Sequence, residues 1–123
     1  MLKTYKDLNV WQKAYQLCLD IYGITAAFPN EEKFAMTSQL RRAAVSIPSN
    51  IAEGYGRRTR ADYIKFLYIA YGSTCELETQ VLLTGDLGYM DGTNSKRLMD
   101  NIAEVERMLK GLMNSLEAKP LSP

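Results

Sequence analysis

Apolar side chains recur at spacings of three and four over four segments of the chain, at about residues 9–27, 31–54, 60–84 and 95–116. This is the period of an α-helix that buries one face. The connections are short, and the sequence contains no internal repeat and no convincing strand pattern. We therefore predict that residues 1–123 form a single all-α domain, an antiparallel up-down-up-down four-helix bundle.

The second segment contains a proline inside its apolar stripe, in the run VSIPSNIAEG. Pro48 removes a backbone donor and clashes with the carbonyl of Ala44, which costs about 3 kcal/mol unless neighbouring groups compensate. Ser46, Ser49 and Asn50 flank the proline, and such short polar side chains can bond to freed backbone groups. We predict one long, bent helix that continues through Pro48.

Short polar residues mark the predicted helix ends. Asp7 or Asn9 can cap the first helix. Asn9 with Gln12, and Thr59 with Asp62, have the spacing of a capping box at the starts of the first and third helices. Gly85 is the expected stop of the third helix. The stretch DLGYMDGTN that follows has two glycines and no periodicity, so we expect it to be the longest linker.

The third segment is apolar nearly all round in its first half, because two stripes run along it. A helix of this kind must be buried on more than one side, and a four-helix monomer covers only one. We therefore predict a subunit interface on this helix. Gly72 and Ser73 lie in its middle and are small enough to permit close helix approach. The candidate interface residues are Ile64, Tyr68, Tyr71 and Cys75.

Charge balance limits the partners that the chain can bind. The 15 basic and 14 acidic residues give a net charge of +1, so nucleic-acid binding would have to come from a local patch. Cys18 and Cys75 lack CxxC spacing, which indicates buried thiols in a reducing compartment and not a disulfide or metal site. No charged leader and no bilayer-length apolar run are present, so we expect a cytoplasmic protein without membrane contact.

The absence of histidine removes several kinds of active site. Ser-His-Asp and Cys-His sites are impossible, as are the Glu-x-x-His ligands of di-iron bundles. No Gly-rich phosphate loop is present either. We therefore expect no enzyme activity, no cofactor and no small-molecule substrate.

Three glutamates leave one enzymatic alternative open, a carboxylate metal enzyme. Glu53, Glu76 and Glu78 could gather as acid/base groups or Mg²⁺ ligands, but glutamates on helices are more often salt-bridge partners. We interpret them, together with Asn50, as structural polar residues. Glu78 shares a stripe with apolar residues, so we expect it to be partly buried beside Asn50 or the arginine pair of the second helix.

A cluster of positive charge follows the second predicted helix and extends one turn into the third. Positive charge is unfavourable at a helix N-terminus, which indicates that the cluster faces an external anion or an acidic neighbouring subunit. Tyr55 and Tyr63 are near in sequence and could stack on unpaired bases. The alternative is a solvated loop whose arginines offset acidic neighbours. The candidate nucleic-acid-binding residues are Arg41, Arg42, Arg57, Arg58, Arg60 and Lys65.

Two long motifs, QLRRAAVSIPSNIAEGYGR and FLYIAYGSTCELETQ, resemble the bacterial proteins encoded by intervening sequences inside 23S rRNA genes, and the resemblance extends over about residues 8–116. It implies a four-helix bundle that assembles into a homopentameric, barrel-like ring. The accessory protein of diversity-generating retroelements is similar in fold, and there a basic pentamer binds nucleic acid and a reverse transcriptase. This chain shares the motifs but is nearly neutral.

Together these observations predict a non-enzymatic homo-oligomer that binds RNA or a ribonucleoprotein partner through its basic cluster. The alternative is a protein-interaction scaffold or accessory subunit, for example of a reverse transcriptase or another polymerase. Salt dependence separates the two, because phosphate binding weakens steeply with salt and an apolar protein interface does not.

Overall fold

The computed structural model describes residues 2–118, and in that range all regular secondary structure is helical, without strands. Two short 3₁₀ turns precede the first and second α-helices. The α-helices are α1 (Asn9–Thr25), α2 (Met36–Tyr55), α3 (Arg60–Asp86) and α4 (Gly92–Ala118), and the 3₁₀ turns are Tyr5–Asp7 and Asn30–Glu32. No helix in the described range is long and apolar enough to cross a membrane.

The four helices pack as a bundle around one hydrophobic core. Each helix contacts its neighbours along the chain, and α1 also contacts α4, which closes the arrangement. The apolar stripes of the sequence supply the core, because residues three and four apart share one helix face. The largest fully buried side chains include Leu17, Ile21, Leu40, Ile47, Ile51, Leu67, Leu77, Leu98, Ile102 and Leu109.

Helix α2 runs through Pro48 without interruption, and Pro48 itself is buried. The side-chain amide of Asn50 donates to the carbonyl oxygen of Ser46 at 2.8 Å and to its hydroxyl at 2.9 Å. The Ser46 hydroxyl also lies 2.8 Å from that of Ser73 on α3. Polar side chains beside the proline therefore serve two purposes, since one bonds the backbone of α2 and another joins α2 to α3.

The start of α2 differs from the prediction. The sequence predicts a helix from residue 31, but Asn30–Glu32 forms a 3₁₀ turn and α2 begins only at Met36. The backbone of Lys33 donates to the carbonyl of Asn30, which is the three-residue spacing of a 3₁₀ turn. Ala35, with φ −120° and ψ −106°, then separates this turn from α2.

The capping prediction is confirmed for α3 as far as the Thr59 cap, without the reciprocal bond of a capping box, and is wrong for α1. The Thr59 hydroxyl accepts from the backbone N–H of Asp62 at 3.1 Å. At α1 the capping residue is Leu8, with no side-chain cap, and Gln12 instead donates to the carbonyl of Lys6. A capping box does occur upstream, where Thr4 caps the Tyr5–Asp7 turn.

The loop between α3 and α4 is shorter than predicted. Helix α3 passes Gly85 and ends at Asp86, and Gly88 supplies the positive φ of 81° after it. The carboxylate of Asp91 accepts from the backbone N–H of Asn94 at 2.7 Å, so α4 begins at Gly92 and not at residue 95.

A glycine does allow two helices to approach closely, but it is Gly54 and not Gly72. A Cβ at Gly54 would lie 2.8 Å from Cβ of Phe66 and 3.1 Å from the carbonyl oxygen of Tyr63. A Cβ at Gly72 would meet nothing within 4 Å, because that position faces solvent. Ser73 beside it is buried and makes the α2–α3 hydrogen bond described above.

Candidate nucleic-acid interface

The predicted basic cluster lies where α2 ends and α3 begins, and we call it the arginine corner: Arg57, Arg58, Arg60 and Lys65. The connection is only four residues long, because α2 ends at Tyr55 and α3 starts at Arg60. An open groove of about 660 Å³ lies over this connection. Its lining residues are Gly56, Arg57, Arg58, Thr59 and Asp62.

The four cations of the arginine corner differ in how they are engaged. Arg57 places Nη2 2.7 Å from Oε2 of Glu53 and stacks its guanidinium 4.6 Å from the ring centre of Phe66. Arg58 and Lys65 are exposed and form no salt bridge within residues 2–118. Arg60 is the first residue of α3 and is half-buried. Arg58 and Lys65 are therefore the cations best placed to meet an external anion.

The corner keeps a positive balance after its acidic neighbours are counted. Glu53 is paired with Arg57, and Asp62 lines the groove. Arg58 and Lys65 add two positive charges that no salt bridge within residues 2–118 offsets. A local patch of this size can bind phosphate even though the whole chain is nearly neutral.

The tyrosines beside the corner are not free to stack on bases, which corrects the prediction. Tyr55 and Tyr63 are both half-buried and pack edge to face, with ring centroids 6.1 Å apart and an interplanar angle of 87°. Burial, and secondarily the neighbouring Tyr55, raises the pKa of the Tyr63 hydroxyl. Both rings thus belong to the packing between α2 and α3.

The other two candidate arginines lie at the opposite end of α2. Between Arg42 and Tyr55 the helix rises by about 20 Å. Arg41 donates through Nε to the Thr25 hydroxyl at 2.9 Å and through Nη2 to the carbonyl of Tyr22, whose ring its guanidinium also covers at 4.6 Å. The six candidate residues therefore form two separate groups, and Arg41 already links α1 to α2.

A second open groove, of about 480 Å³, surrounds this arginine pair, and sequence reasoning missed it. It includes Phe34, whose side chain is 90% exposed, and Lys33, whose ammonium lies 5.5 Å from the Phe34 ring centre. A signal for it is present in the sequence. If residues 31–54 were all helical, Phe34 would lie off the apolar stripe of that helix and among its polar positions. We call this surface the Phe34 groove, and its lining residues are Tyr22, Lys33, Phe34, Thr37, Ser38, Arg41, Arg42 and Val45.

The predicted interface residues of α3 divide into exposed and half-buried pairs. Tyr68 is 52% exposed, and Cys75 is exposed and not buried as predicted, whereas Ile64 and Tyr71 are half-buried. The Lys110 ammonium lies 5.4 Å from the ring centre of Tyr71, so α4 covers part of that side chain. Further large apolar side chains of α3 are exposed: Ile69, Leu82 and Leu83.

Glu78 is half-buried as predicted, but its neighbour is another acid and not the expected Arg41, Arg42 or Asn50. Glu106 of α4 lies beside it, and the pKa of Glu106 is raised by burial and then by the charge of Glu78 and a hydrogen bond with it. The expected partners point elsewhere: Arg41 bonds to α1, while Arg42 and Asn50 bond within α2.

The remaining candidate glutamates are held in separate contacts. Glu53 pairs with Arg57, and Glu76 accepts from the side-chain amide of Gln80 at 3.5 Å. Within residues 2–118 no group of three or more His, Cys, Asp or Glu side chains is arranged to hold a metal ion. Glu53, Glu76 and Glu78 are thus not gathered into one carboxylate site.

The fold and these surfaces define a class, a small four-helix protein with a basic helix–helix corner and exposed apolar side chains on α3. The sequence places the chain in a particular family within this class. A profile of the family described as 23S rRNA-intervening sequence protein matches residues 6–111, and the chain belongs to that family.

A solved structure supports the same fold. It is a protein of unknown function from the S23 ribosomal protein family of Bacteroides thetaiotaomicron, known from a crystal structure. The two chains superpose with a TM-score of 0.77 at 24% sequence identity, covering 85% of this chain and 97% of the other. The comparison with functionally curated proteins found no match.

Proposed function

We propose that this protein is a non-enzymatic homo-oligomer that binds RNA through its arginine corner. The observation that carries the proposal is the exposure of Arg58, which lines an open groove, and of Lys65 on α3, both without a salt bridge in the described part of the chain. Exposed cations without internal partners are available to replace the counterions of a phosphate backbone. The family's description, which refers to 23S rRNA intervening sequences, agrees with an RNA ligand.

The proposal includes an antiparallel bundle that assembles into a ring. Close contacts near the chain reversals support the antiparallel order, with Gly54 near Phe66 and Gly85 near Ser95. A closed ring needs two different faces that fit each other. Large exposed apolar side chains on α3 supply one face, and those of α1 supply the other. The resemblance to the family implies five subunits.

The apolar face of α1 also favours a second function, a protein-interaction scaffold. A groove of about 330 Å³ between α1 and α2 is lined mainly by apolar and aromatic side chains, among them Trp11, Tyr15 and Leu19. Such a surface fits a helix of a partner protein such as a polymerase as well as a helix of a second copy. Binding through this groove would depend little on salt, in contrast to binding through the arginine corner.

The test replaces the two exposed cations of the corner, as Arg58→Gln with Lys65→Gln. We expect weaker retention of total RNA. The slope of log K against log salt concentration should become shallower by about 0.7 for each phosphate no longer neutralised, because each cation releases counterions from single-stranded RNA. Neither side chain forms a salt bridge within residues 2–118, so the melting temperature should stay unchanged. Filter binding over about 50 to 200 mM salt measures the effect.

The matched control removes two charges from α4 that form no salt bridge within residues 2–118, as Arg97→Gln with Arg107→Gln. Both residues are exposed, and the control has the same net charge as the corner variant. RNA binding that falls equally in both variants would show a general charge effect and contradict the assignment to the corner. Unchanged RNA binding in the corner variant would contradict it as well.

A further inference from the structure

We propose that the Phe34 groove binds one nucleotide of single-stranded RNA, with its base stacked on the Phe34 ring and its phosphate between Lys33 and Arg42. The inference rests on the proposed RNA-binding function and adds a second contact point to it. It assigns base stacking to a part of the molecule far from the arginine corner.

Exposure of the Phe34 ring is the first observation behind this assignment. Phe34 is 90% exposed, the largest exposure among the large apolar side chains of the described residues. It lies between the Asn30–Glu32 turn and the start of α2, so its backbone belongs to neither element. A flat aromatic face open to solvent is a platform on which any base can stack.

The charges around the ring are the second observation. The groove is lined by Lys33, Arg41 and Arg42, and no carboxylate of the described residues lines it. Lys33 holds its ammonium 5.5 Å from the Phe34 ring centre, and Arg42 is exposed, bonding only weakly to Ser38 at 3.3 Å. Cations beside an aromatic ring are the arrangement that single-strand binders use to hold a phosphate next to a stacked base.

Arg41 has a different part in the groove. Its guanidinium is committed to Thr25 and Tyr22 of α1, which fixes it against the groove wall. It therefore contributes positive charge without being free to reorient toward a ligand. The hydroxyls of Thr37 and Ser38 line the same groove and can donate to phosphate oxygens.

The volume of the groove fits a nucleotide, and stacking on Phe34 favours a single strand over a duplex. Its volume of about 480 Å³ lies within the range of small-ligand sites, roughly 300–1,000 Å³. A base paired in a helix presents its edges and not its face, so stacking on Phe34 requires an unpaired base. At the arginine corner the corresponding rings, Tyr55 and Tyr63, are packed against each other, which leaves that site to phosphates.

The experiment measures binding of a fluorescein-labelled oligoadenylate by fluorescence anisotropy. We expect Phe34→Ala to raise the Kd about 5-fold to 150-fold, the range that corresponds to removal of one base–aromatic stack. Phe34→Trp should bind at least as tightly as wild type, since it retains a ring. Leu87→Ala is the control, because it removes another exposed apolar side chain from a different place.

The charge part of the assignment has its own variants. For Lys33→Gln and for Arg42→Gln, the slope of log K for oligoadenylate against log salt concentration should become shallower by about 0.7, since each variant removes one cation from the phosphate. Adenosine monophosphate, added as a competitor, should bind more weakly than the oligoadenylate because it lacks neighbouring phosphates. Equal affinity for the two would contradict a strand as the occupant.

The outcomes separate this inference from the proposed function. If Arg58→Gln with Lys65→Gln weakens oligoadenylate binding but Phe34→Ala does not, the Phe34 groove is not a nucleotide site and the corner assignment stands. If Phe34→Ala weakens oligoadenylate binding but Arg58→Gln with Lys65→Gln does not, the Phe34 groove is a nucleotide site and the assignment of RNA binding to the arginine corner is wrong. A change in oligomer mass caused by Phe34→Ala would identify the ring as a subunit contact, which overturns the inference. Absence of any oligoadenylate binding by the wild type contradicts both.

Discussion

Residues of one type have different roles in this protein, and the arginines show it most clearly. Arg57 is held by Glu53 and the Phe66 ring, and Arg41 by α1, whereas Arg58 is exposed without a salt bridge in the described part of the chain. The sequence pattern groups these residues by charge alone. Which of them remain available to a ligand depends on side-chain neighbours from other helices, and a single sequence does not specify those neighbours.

Gly54 gives a sharp prediction at the residue scale. In Gly54→Ala the new Cβ would overlap Cβ of Phe66 at 2.8 Å and approach the carbonyl of Tyr63 at 3.1 Å. Helices α2 and α3 would have to separate, and we expect the free energy of unfolding to fall by about 1–3 kcal/mol. Urea denaturation followed by circular dichroism measures the change.

Gly23→Ala is the matched control for that substitution. Gly23 lies inside α1, and a Cβ there would meet nothing within 4 Å. Alanine is the better helix former, so we expect stability to rise by about 0.5–1 kcal/mol. Equal effects of the two substitutions would show that the α2–α3 approach at Gly54 is not tight.

At the scale of the elements, the apolar stripes predict the four helices and their core faces, while their ends depend on local bonds. The stripe of α2 appears in the sequence, and Leu40, Ile47 and Ile51 are fully buried as it implies. The start of α2 is not predicted because residues 30–35 form turns with three-residue spacing, which apolar periodicity does not distinguish from an α-helix. The Asp91 cap of α4 does have a signal in the sequence, a short polar residue before the helix.

The contact between α3 and α4 brings two acids together, Glu78 and Glu106. Burial raises the pKa of Glu106 above its ordinary value of 4.5, and the charge and hydrogen bond of Glu78 act in the same direction. A hydrogen bond from Thr74 and the charge of Lys110 oppose them. The native state therefore binds this proton more tightly than the unfolded state does. Its contribution to stability is complete at acid pH and is lost as pH rises through the raised pKa.

Glu106→Gln tests this contact. The amide cannot ionise and can donate to Glu78, so the variant should melt at a higher temperature than wild type at neutral pH and at about the same temperature at pH below 4.5. Thermal denaturation over this range measures the difference. Glu31→Gln, at an exposed position of the Asn30–Glu32 turn, is the control. A wild-type melting profile in Glu106→Gln would show that the two acids do not interact.

At the scale of the whole molecule, apolar surface remains outside the bundle core. Tyr68, Ile69, Leu82 and Leu83 are exposed on α3, although α2 and α4 cover its other sides. The sequence predicts this exposed apolar surface, because α3 is apolar nearly all round. It cannot predict that α4 covers part of Tyr71, because that depends on how α3 and α4 pack.

Assembly would also change what the two basic surfaces can do. The arginine corner and Arg42 of the Phe34 groove are separated by about 20 Å along α2 in one subunit. A ring would repeat both surfaces in every copy, so one strand could contact several of them. Effective concentration then raises the overall affinity above that of a single weak site.

The most direct test is native mass spectrometry of the protein alone and with total cellular RNA, at about 50 and 200 mM salt. We expect a closed oligomer that retains RNA at the lower salt concentration and releases it at the higher one. Tyr68→Glu should give smaller assemblies, because it places a charge on the exposed face of α3. A closed oligomer without RNA at either salt concentration would contradict RNA binding, and a wild-type monomer would contradict the ring.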